Sequence, residues 1–244
     1  MARSYSNPNT PKLFWAMAIA LRSSALWEVV DLILTKKAWQ NALVQRHGRE
    51  RQDRFSAATV AICGLGGLGS NIAIALARAG IGKLILIDFD SVDITNLHRQ
   101  QYKFSQIAMQ KTEALAENLH EINPYVELKL HTVRITEENA VPLLQDADII
   151  CEAFDNAEAK AMLTDLVLEQ LPEKYLVAAS GMAGFDSPNS IQTRQITKRF
   201  YLCGDGISDV ANEVGLVSSR VMICAAHQAH TVLRILLNER RNVK

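Results

Sequence analysis

The sequence predicts an α/β fold: a doubly wound, mostly parallel sheet with an antiparallel C-terminal portion and an N-terminal helical appendage. Three observations predict it. From Thr59 onward, short apolar runs alternate with stretches of helical periodicity. The first of those runs is followed at once by a glycine-rich turn, Gly64-Leu65-Gly66-Gly67-Leu68-Gly69, that opens a helix. Late in the chain, residues 185–203 switch to polar–apolar alternation, as antiparallel strands do.

The elements are ordered along the chain. Residues 1–10 are polar, and Pro8 and Pro11 limit regular structure there. Residues 12–35 read as one helix and residues 38–56 as a second, strongly charged one. Strand 59–63 leads through the glycines into helix 69–80, which ends at Gly80. Strand 83–88 comes next, then helix 106–122, which stops before Asn123-Pro124. Strand 126–133 precedes helix 136–145, opened by the capping-box-like Thr136-x-x-Asn139. Strand 147–154, helix 157–171 and strand 175–180 continue the alternation, and helix 218–239 closes it. With no Gly/Ser linker and no repeat, the division expected is a helical extension over 1–40 and a single domain over 41–244.

The 244 residues are enough for a sizeable core. With 26 basic and 26 acidic residues there is no net charge to gather nucleic acid or coat a membrane, and neither partner is expected. The apolar run beginning at Leu13 is too short to span a bilayer, and Arg22, Glu28 and Asp31 interrupt the stretch beyond it. It reads as an amphipathic helix that packs on the domain or a partner, in preference to an export signal; a start codon placed too far upstream would also explain it. The four cysteines, Cys63, Cys151, Cys203 and Cys224, form no C-x-x-C. Buried small hydrophobes in a reducing cytosol are expected, with no structural zinc.

The Gly64–Gly69 loop matches the strand–loop–helix context of a Rossmann-like nucleotide site. Gly64 permits the tight turn, Gly66 lets backbone N–H groups approach phosphate, Gly67 adds to the glycine-rich loop, and Gly69 allows close helix–strand packing. The helix dipole and unpaired N–H groups then face an anion. Asp88, 19 residues beyond Gly69, is placed to accept from ribose hydroxyls. At this point NAD, FAD and ATP all fit.

The next residues favour a triphosphate. Asn96, Arg99 and Lys111 supply phosphate donors, two of them cations that a nicotinamide dinucleotide does not need. Asp155 comes after a buried strand and projects from the carboxyl edge of the sheet, where ligands of doubly wound folds bind. A carboxylate facing phosphates calls for a cation between them, so Asp155 is a candidate Mg²⁺ ligand, with helix capping near Ala157 as its plainer role. Asp90 and Asp93 read as local turn and loop residues. His98 receives no role.

These residues together resemble the ThiF/MoeB/HesA family, relatives of the ubiquitin-activating enzymes. The stretch "GLGGLGSNIAIALARAGIGKLILIDFDSVDITNLHRQ", Lys111 and "FDN" carry the resemblance, which covers roughly residues 42–238. "INPYVELKL", "CEAFDNAEAKAMLTD" and "VAASGMAGF" look most like the shorter second branch of thiamine-biosynthesis ThiF proteins. The resemblance implies ATP- and Mg²⁺-dependent adenylation of the C-terminal Gly-Gly carboxylate of a small ubiquitin-fold sulfur carrier, in the cytoplasm. Asp88 matches the ribose-binding position, Asn96, Arg99 and Lys111 the phosphate-contacting positions, and Asp155 the Mg²⁺-linked one. It also implies a homodimer in which an arginine ahead of the first strand reaches the partner's phosphates; Arg46 is the best match and Arg49 the next.

Such chemistry needs no general base, because the attacking carboxylate is already ionised. The small residues of "AASGMAGF" suit either a narrow channel for a diglycine tail or plain sheet packing. Two features depart from the family. The paired C-x-x-C motifs are missing, and Ala211 stands where many members carry a cysteine, which puts a covalent step in doubt. Cys203, the nearest substitute, sits in a strand-like run that suits a structural role. The alternatives are an adenylating relative acting on a molybdopterin-synthase carrier or another carboxylate, an NAD-dependent oxidoreductase, and a non-catalytic nucleotide-binding module.

Overall fold

The computed structural model describes residues 35–209 and 215–237. Residues 12–34 of the helix expected over 12–35, and Ala211, lie outside them. The chain divides into two compact units, residues 1–46 and 47–244. The described part of the first unit is most of one helix, α1 (Lys36–His47).

The second unit begins with α2 (Arg49–Ala57). The sequence predicts a single helix over 38–56. The structure divides it at Gly48, whose φ of +82° no right-handed helix accommodates. Seven strands lie in one sheet: β1 (Thr59–Cys63), β2 (Lys83–Ile87), β3 (Glu127–His131), β4 (Ile149–Glu152), β5 (Tyr175–Ala179), β6 (Gln192–Gln195) and β7 (Phe200–Gly204). Their order is β3-β2-β1-β4-β5-β7-β6, parallel throughout except for the β6–β7 pair. The strand order reverses between β1 and β4, so a crevice opens beyond their carboxyl ends.

Both faces of the sheet are covered. Along β1, Val60 and Ile62 pack on one side while Ala61 and Cys63 pack on the other, and all four are fully buried. The first side receives Phe55 of α2 and the helices α3 (Gly67–Ala79), α4 (Lys111–Ile122) and α7 (Ser218–Leu236). The second receives α5 (Glu137–Leu144) and α6 (Ala157–Gln170). Helix α3 ends at Gly80 in the left-handed region, and Asn139 accepts from the Thr136 N–H at 2.8 Å as the capping box of α5 anticipates. All four cysteines are buried thiols, Cys203 included.

Helix α4 is shorter than its sequence suggests. It starts at Lys111 rather than near 106, because the preceding residues pair with the chain after β2. Val92 N–H donates to Met109 O, Ala108 N–H to Val92 O, and Lys111 N–H to Asp90 O. Ala108 takes a φ of +71° to make this ladder. The ladder delivers Lys111 beside Asp88 and Asp90.

Candidate functional site

A cleft of about 810 Å³ opens at the reversal of strand order. Gly64, Gly66, Gly67, Asp88, Asn96, Arg99, Lys111 and Asp155 all line it. Gly69 does not; it lies beneath the loop, where a Cβ would stand 1.8 Å from the Gly64 carbonyl oxygen, so its part is the helix–strand approach. Gly64 has φ +90°, and a Cβ there would meet the Ala153 carbonyl oxygen at 2.9 Å. These two glycines let β1, α3 and the end of β4 converge under the glycine loop. The Tyr102 hydroxyl fixes the loop from below by donating to Leu65 O at 2.7 Å.

Asp88 ends β2 and is 8% exposed. Its oxygens accept from the Leu65 N–H at 2.6 Å and the Asp90 N–H at 2.8 Å, tying the strand end to the glycine loop. Burial raises its pKa; Lys111 and the two N–H donors work against that rise. The Lys111 ammonium, 7% exposed, lies 4.0 Å from Asp88 and 2.8 Å from Asp90. It is therefore no solvated helix residue. Asp90, expected to serve only its own turn, is the direct ion-pair partner of this lysine, because the Ser91–Gln110 bridge sets the two segments side by side. Asp93 is local as expected: it accepts from the Thr95 N–H and hydroxyl.

The short helix Ile94–Asn96 presents the other donors. Asn96 Oδ1 accepts from Arg99 Nη2 at 3.2 Å and from Gln100 Nε2 at 3.1 Å. Arg99 Nε and Gln100 Oε1 are buried without a hydrogen-bond partner among the described residues, and both side chains line the cleft. Sequence reasoning misses Gln100, although it adjoins Arg99. His98 faces two carbonyl oxygens, Thr95 O at 3.0 Å and Leu216 O at 3.3 Å.

Asp155 is exposed at the cleft and has no hydrogen-bond or ion-pair partner among the described residues. It does not cap α6. Asn156 does, accepting from the Ala159 N–H at 2.9 Å, because the capping side chain must sit one residue before the first helical position. The turn that carries Asp155 is anchored by a pair that sequence reasoning misses. Lys160 Nζ lies 3.0 Å from both oxygens of the buried Glu152 and 3.0 Å from Ala179 O, while Glu152 also accepts from the Phe154 N–H at 2.7 Å. Burial pushes the Glu152 pKa up and Lys160 opposes it.

Ser180, Gly181, Met182 and Ala183 form the opposite wall of the cleft, with Phe185 exposed beyond them. Lys160 and Arg134 line the cleft too, and the Lys160 ammonium lies 3.0 Å from Ala179 O, directly ahead of that stretch. Of the two arginines considered for a partner's phosphates, Arg46 is on α1 in the first unit and Arg49 on α2 in the second. No group of three or more His, Cys, Asp or Glu among the described residues forms a metal cluster. A lone exposed carboxylate such as Asp155 fits an ion held mainly by phosphate oxygens and water, as Mg²⁺ commonly is.

Comparison with known proteins places this geometry. Residues 39–244 match the ThiF family. The adenylyltransferase and sulfurtransferase MOCS3 of Aedes aegypti is 35% identical over 136 residues, covering 55% of this chain and 31% of the relative. The protein of that name from Dictyostelium discoideum is 28% identical over 228 residues, covering 82% of this chain and 50% of the relative. The chain thus spans about a third to a half of the length of these curated relatives. Among solved structures, E. coli tRNA N6-threonylcarbamoyladenosine dehydratase, TcdA, in complex with ATP superposes with a TM-score of 0.75 at 21% identity, covering 89% of this chain and 97% of that one. E. coli MccB superposes with a TM-score of 0.60 at 21% identity, covering 79% of this chain and 58% of that one. At such identities the likeness is one of fold, and it agrees with the doubly wound sheet described above. The family match runs over most of the sequence, and the chain belongs to the ThiF family.

Proposed function

We propose that the chain is an ATP-dependent adenylyltransferase, and that its substrate is the C-terminal Gly-Gly carboxylate of a ubiquitin-fold sulfur carrier serving thiazole formation in thiamine biosynthesis. The observation that carries this reading is the donor set of the cleft: Lys111, Arg99, Asn96 and the glycine loop converge on it, and the short stretch Ser180–Ala183 lines it beyond them.

In this reading Asp88 accepts from the ribose hydroxyls, and the N–H groups at the start of α3 receive phosphate oxygens. Arg99 and Gln100 give their unpaired polar atoms ligand or water partners. Lys111 turns from Asp90 toward the phosphates, whose charge exceeds that of one carboxylate. Asp155 would hold Mg²⁺, which when bound neutralises charge on the departing pyrophosphate. A carboxylate oxygen attacks the α-phosphorus, the bond to the bridging oxygen breaks, and acyl-adenylate and pyrophosphate form. No proton is transferred, so the chain needs to position charge rather than supply a base. A second copy of the chain supplies Arg46, or failing that Arg49, to the phosphates. Curated relatives named as adenylyltransferase and sulfurtransferase support this substrate class.

A second reading has one observation in its favour: the fold neighbour covered almost end to end is a tRNA-modifying protein. Under it the carboxylate belongs to another substrate, nucleic-acid-linked or peptidic. The zero net charge weighs against tRNA. Carboxylate-dependent exchange of labelled pyrophosphate into ATP tests both readings. Exchange driven by a Gly-Gly-ended carrier supports the first; exchange driven only by a tRNA-linked or peptide carboxylate supports the second; tight NAD binding without ATP binding overturns both.

A further inference from the structure

Behind the Ser180–Ala183 stretch of the cleft lies one buried ion pair, Arg220–Asp205. Arg220, in the first turn of α7, is 3% exposed. Its Nη2 lies 2.5 Å from Asp205 Oδ2 and 3.0 Å from Ser190 Oγ. Its Nη1 donates to Asp186 O at 2.7 Å and Ser187 O at 3.0 Å. One guanidinium therefore gathers the loop after β5 and the turn after β7 onto the start of α7.

The connection continues to the cleft. Asp205 Oδ1 accepts from the Ile207 and Ser208 N–H groups, both at 2.9 Å. Ser208 Oγ in turn accepts from the Ala183 N–H at 3.0 Å. Gly181 crosses directly over the carboxylate: a Cβ there would stand 2.0 Å from Asp205 Oδ1, and its φ is +78°. Next to Arg220 on α7, Val221 abuts Gly67, where a Cβ would meet its methyl at 3.0 Å. The same helical turn thus touches the glycine loop through Val221 and, through Asp205, holds the Gly181–Ala183 stretch.

We infer that Arg220 and Asp205 are positioning residues that set the distance between the phosphate loop and the wall receiving the attacking carboxylate. The inference rests on the adenylation reading and adds to it the device that fixes the acyl side of the site. Neither residue of the pair lines the cleft. The pair acts through Ser208 and Gly181, so its loss spares ATP binding and weakens use of the carboxylate. A lysine at 220 carries the charge but lacks the fork that reaches Asp205 and three further acceptors together.

The test uses the full chain with ATP, Mg²⁺ and the carboxylate protein that drives pyrophosphate exchange in the wild type. Arg220→Met is expected to raise the KM for that carboxylate by about tenfold or more, with ATP affinity held within about twofold and kcat at saturating carboxylate largely retained. Arg220→Lys is expected to fall between Arg220→Met and the wild type. Ser208→Ala keeps the Arg220–Asp205 ion pair and removes the hydroxyl's bonds to Ala183 and Asp205; it is expected to raise the same KM by a smaller factor with the melting temperature near that of the wild type, and it carries the test where Arg220→Met does not fold. Amide exchange read by mass spectrometry in the protein without substrates is expected to quicken over residues 181–190 in Arg220→Met while α3 stays protected. An unchanged carboxylate KM in Ser208→Ala and Arg220→Lys, or a parallel loss of ATP affinity, overturns the inference. A wild type that exchanges pyrophosphate with no carboxylate at all overturns the adenylation reading beneath it.

Discussion

The phosphate-side wall is assembled from residues close in sequence, between Gly64 and Lys111, and it leaves polar atoms of Arg99 and Gln100 without partners among the described residues. The far wall joins Gly181, Asp205 and Arg220 from three separate parts of the chain, and all but one of its central guanidinium's nitrogens are engaged. Each arginine leaves its Nε without a partner among the described residues; the walls differ in that Arg220 is 3% exposed and ion-paired with Asp205, whereas Arg99 is half-buried and lines the cleft. The difference teaches where damage falls. On the proposed reading, removing a phosphate-side cation takes away an interaction made with the reacting groups. Removing a far-wall residue strands a buried charge in the folded protein.

The largest expected effect is on stability at the far wall. Arg220→Met leaves Asp205 buried and unpaired, and urea denaturation is expected to show a loss of about 3–5 kcal/mol. Arg99→Ala breaks the comparison from the other side: turnover falls by about 100- to 1,000-fold while the unfolding midpoint stays near that of the wild type, measured by pyrophosphate release and thermal melting. A stability loss matching that of Arg220→Met would show that the two walls do not differ as described.

Acid sharpens the comparison. Burial alone would raise the Asp205 pKa, but the Ser208 and Ile207 N–H groups and Arg220 outweigh it and hold the carboxyl at about 2 against an ordinary 3.8. Its folded pKa lies below its unfolded one, so its contribution is present above about pH 4 and fades as pH falls toward 2. The stability gap between wild type and Asp205→Asn is expected to shrink by about 2 kcal/mol over that window. The smallest effect separates two neighbours. Asn156→Ala removes the cap of α6 and costs about 1 kcal/mol, whereas Asp155→Ala leaves stability within about 0.5 kcal/mol and lowers turnover.

One wall is more legible in the sequence than the other for physical reasons. Glycines mark backbone approach at fixed spacing, and Asp88, Asn96, Arg99 and Lys111 fall within a single β–α–β stretch, so their convergence can be read without coordinates. Residues 106–110 have helical periodicity, which makes α4 look longer than it is; the ladder with residues 90–92 wins, and that ladder carries Asp90 to Lys111. Glu152 and Lys160 escape a sequence reading because a carboxylate inside an apolar strand has no local signature of its partner eight residues on. Arg220 and Asp205 are 15 residues apart across the turn after β7, beyond any periodic pattern. One signal is present. Lys111 and Arg220 each occupy the first turn of a helix, where the dipole disfavours a cation, and such local violations concentrate at working sites.

The most direct measurement is the intact mass of a Gly-Gly-ended carrier after incubation with the chain, ATP and Mg²⁺, with pyrophosphate counted in the same reaction. The account predicts a carrier heavier by one adenylyl group and one pyrophosphate released for each, both abolished in Lys111→Ala. A carrier of unchanged mass with no pyrophosphate formed, across every Gly-Gly-ended protein and other carboxylate offered, would contradict it.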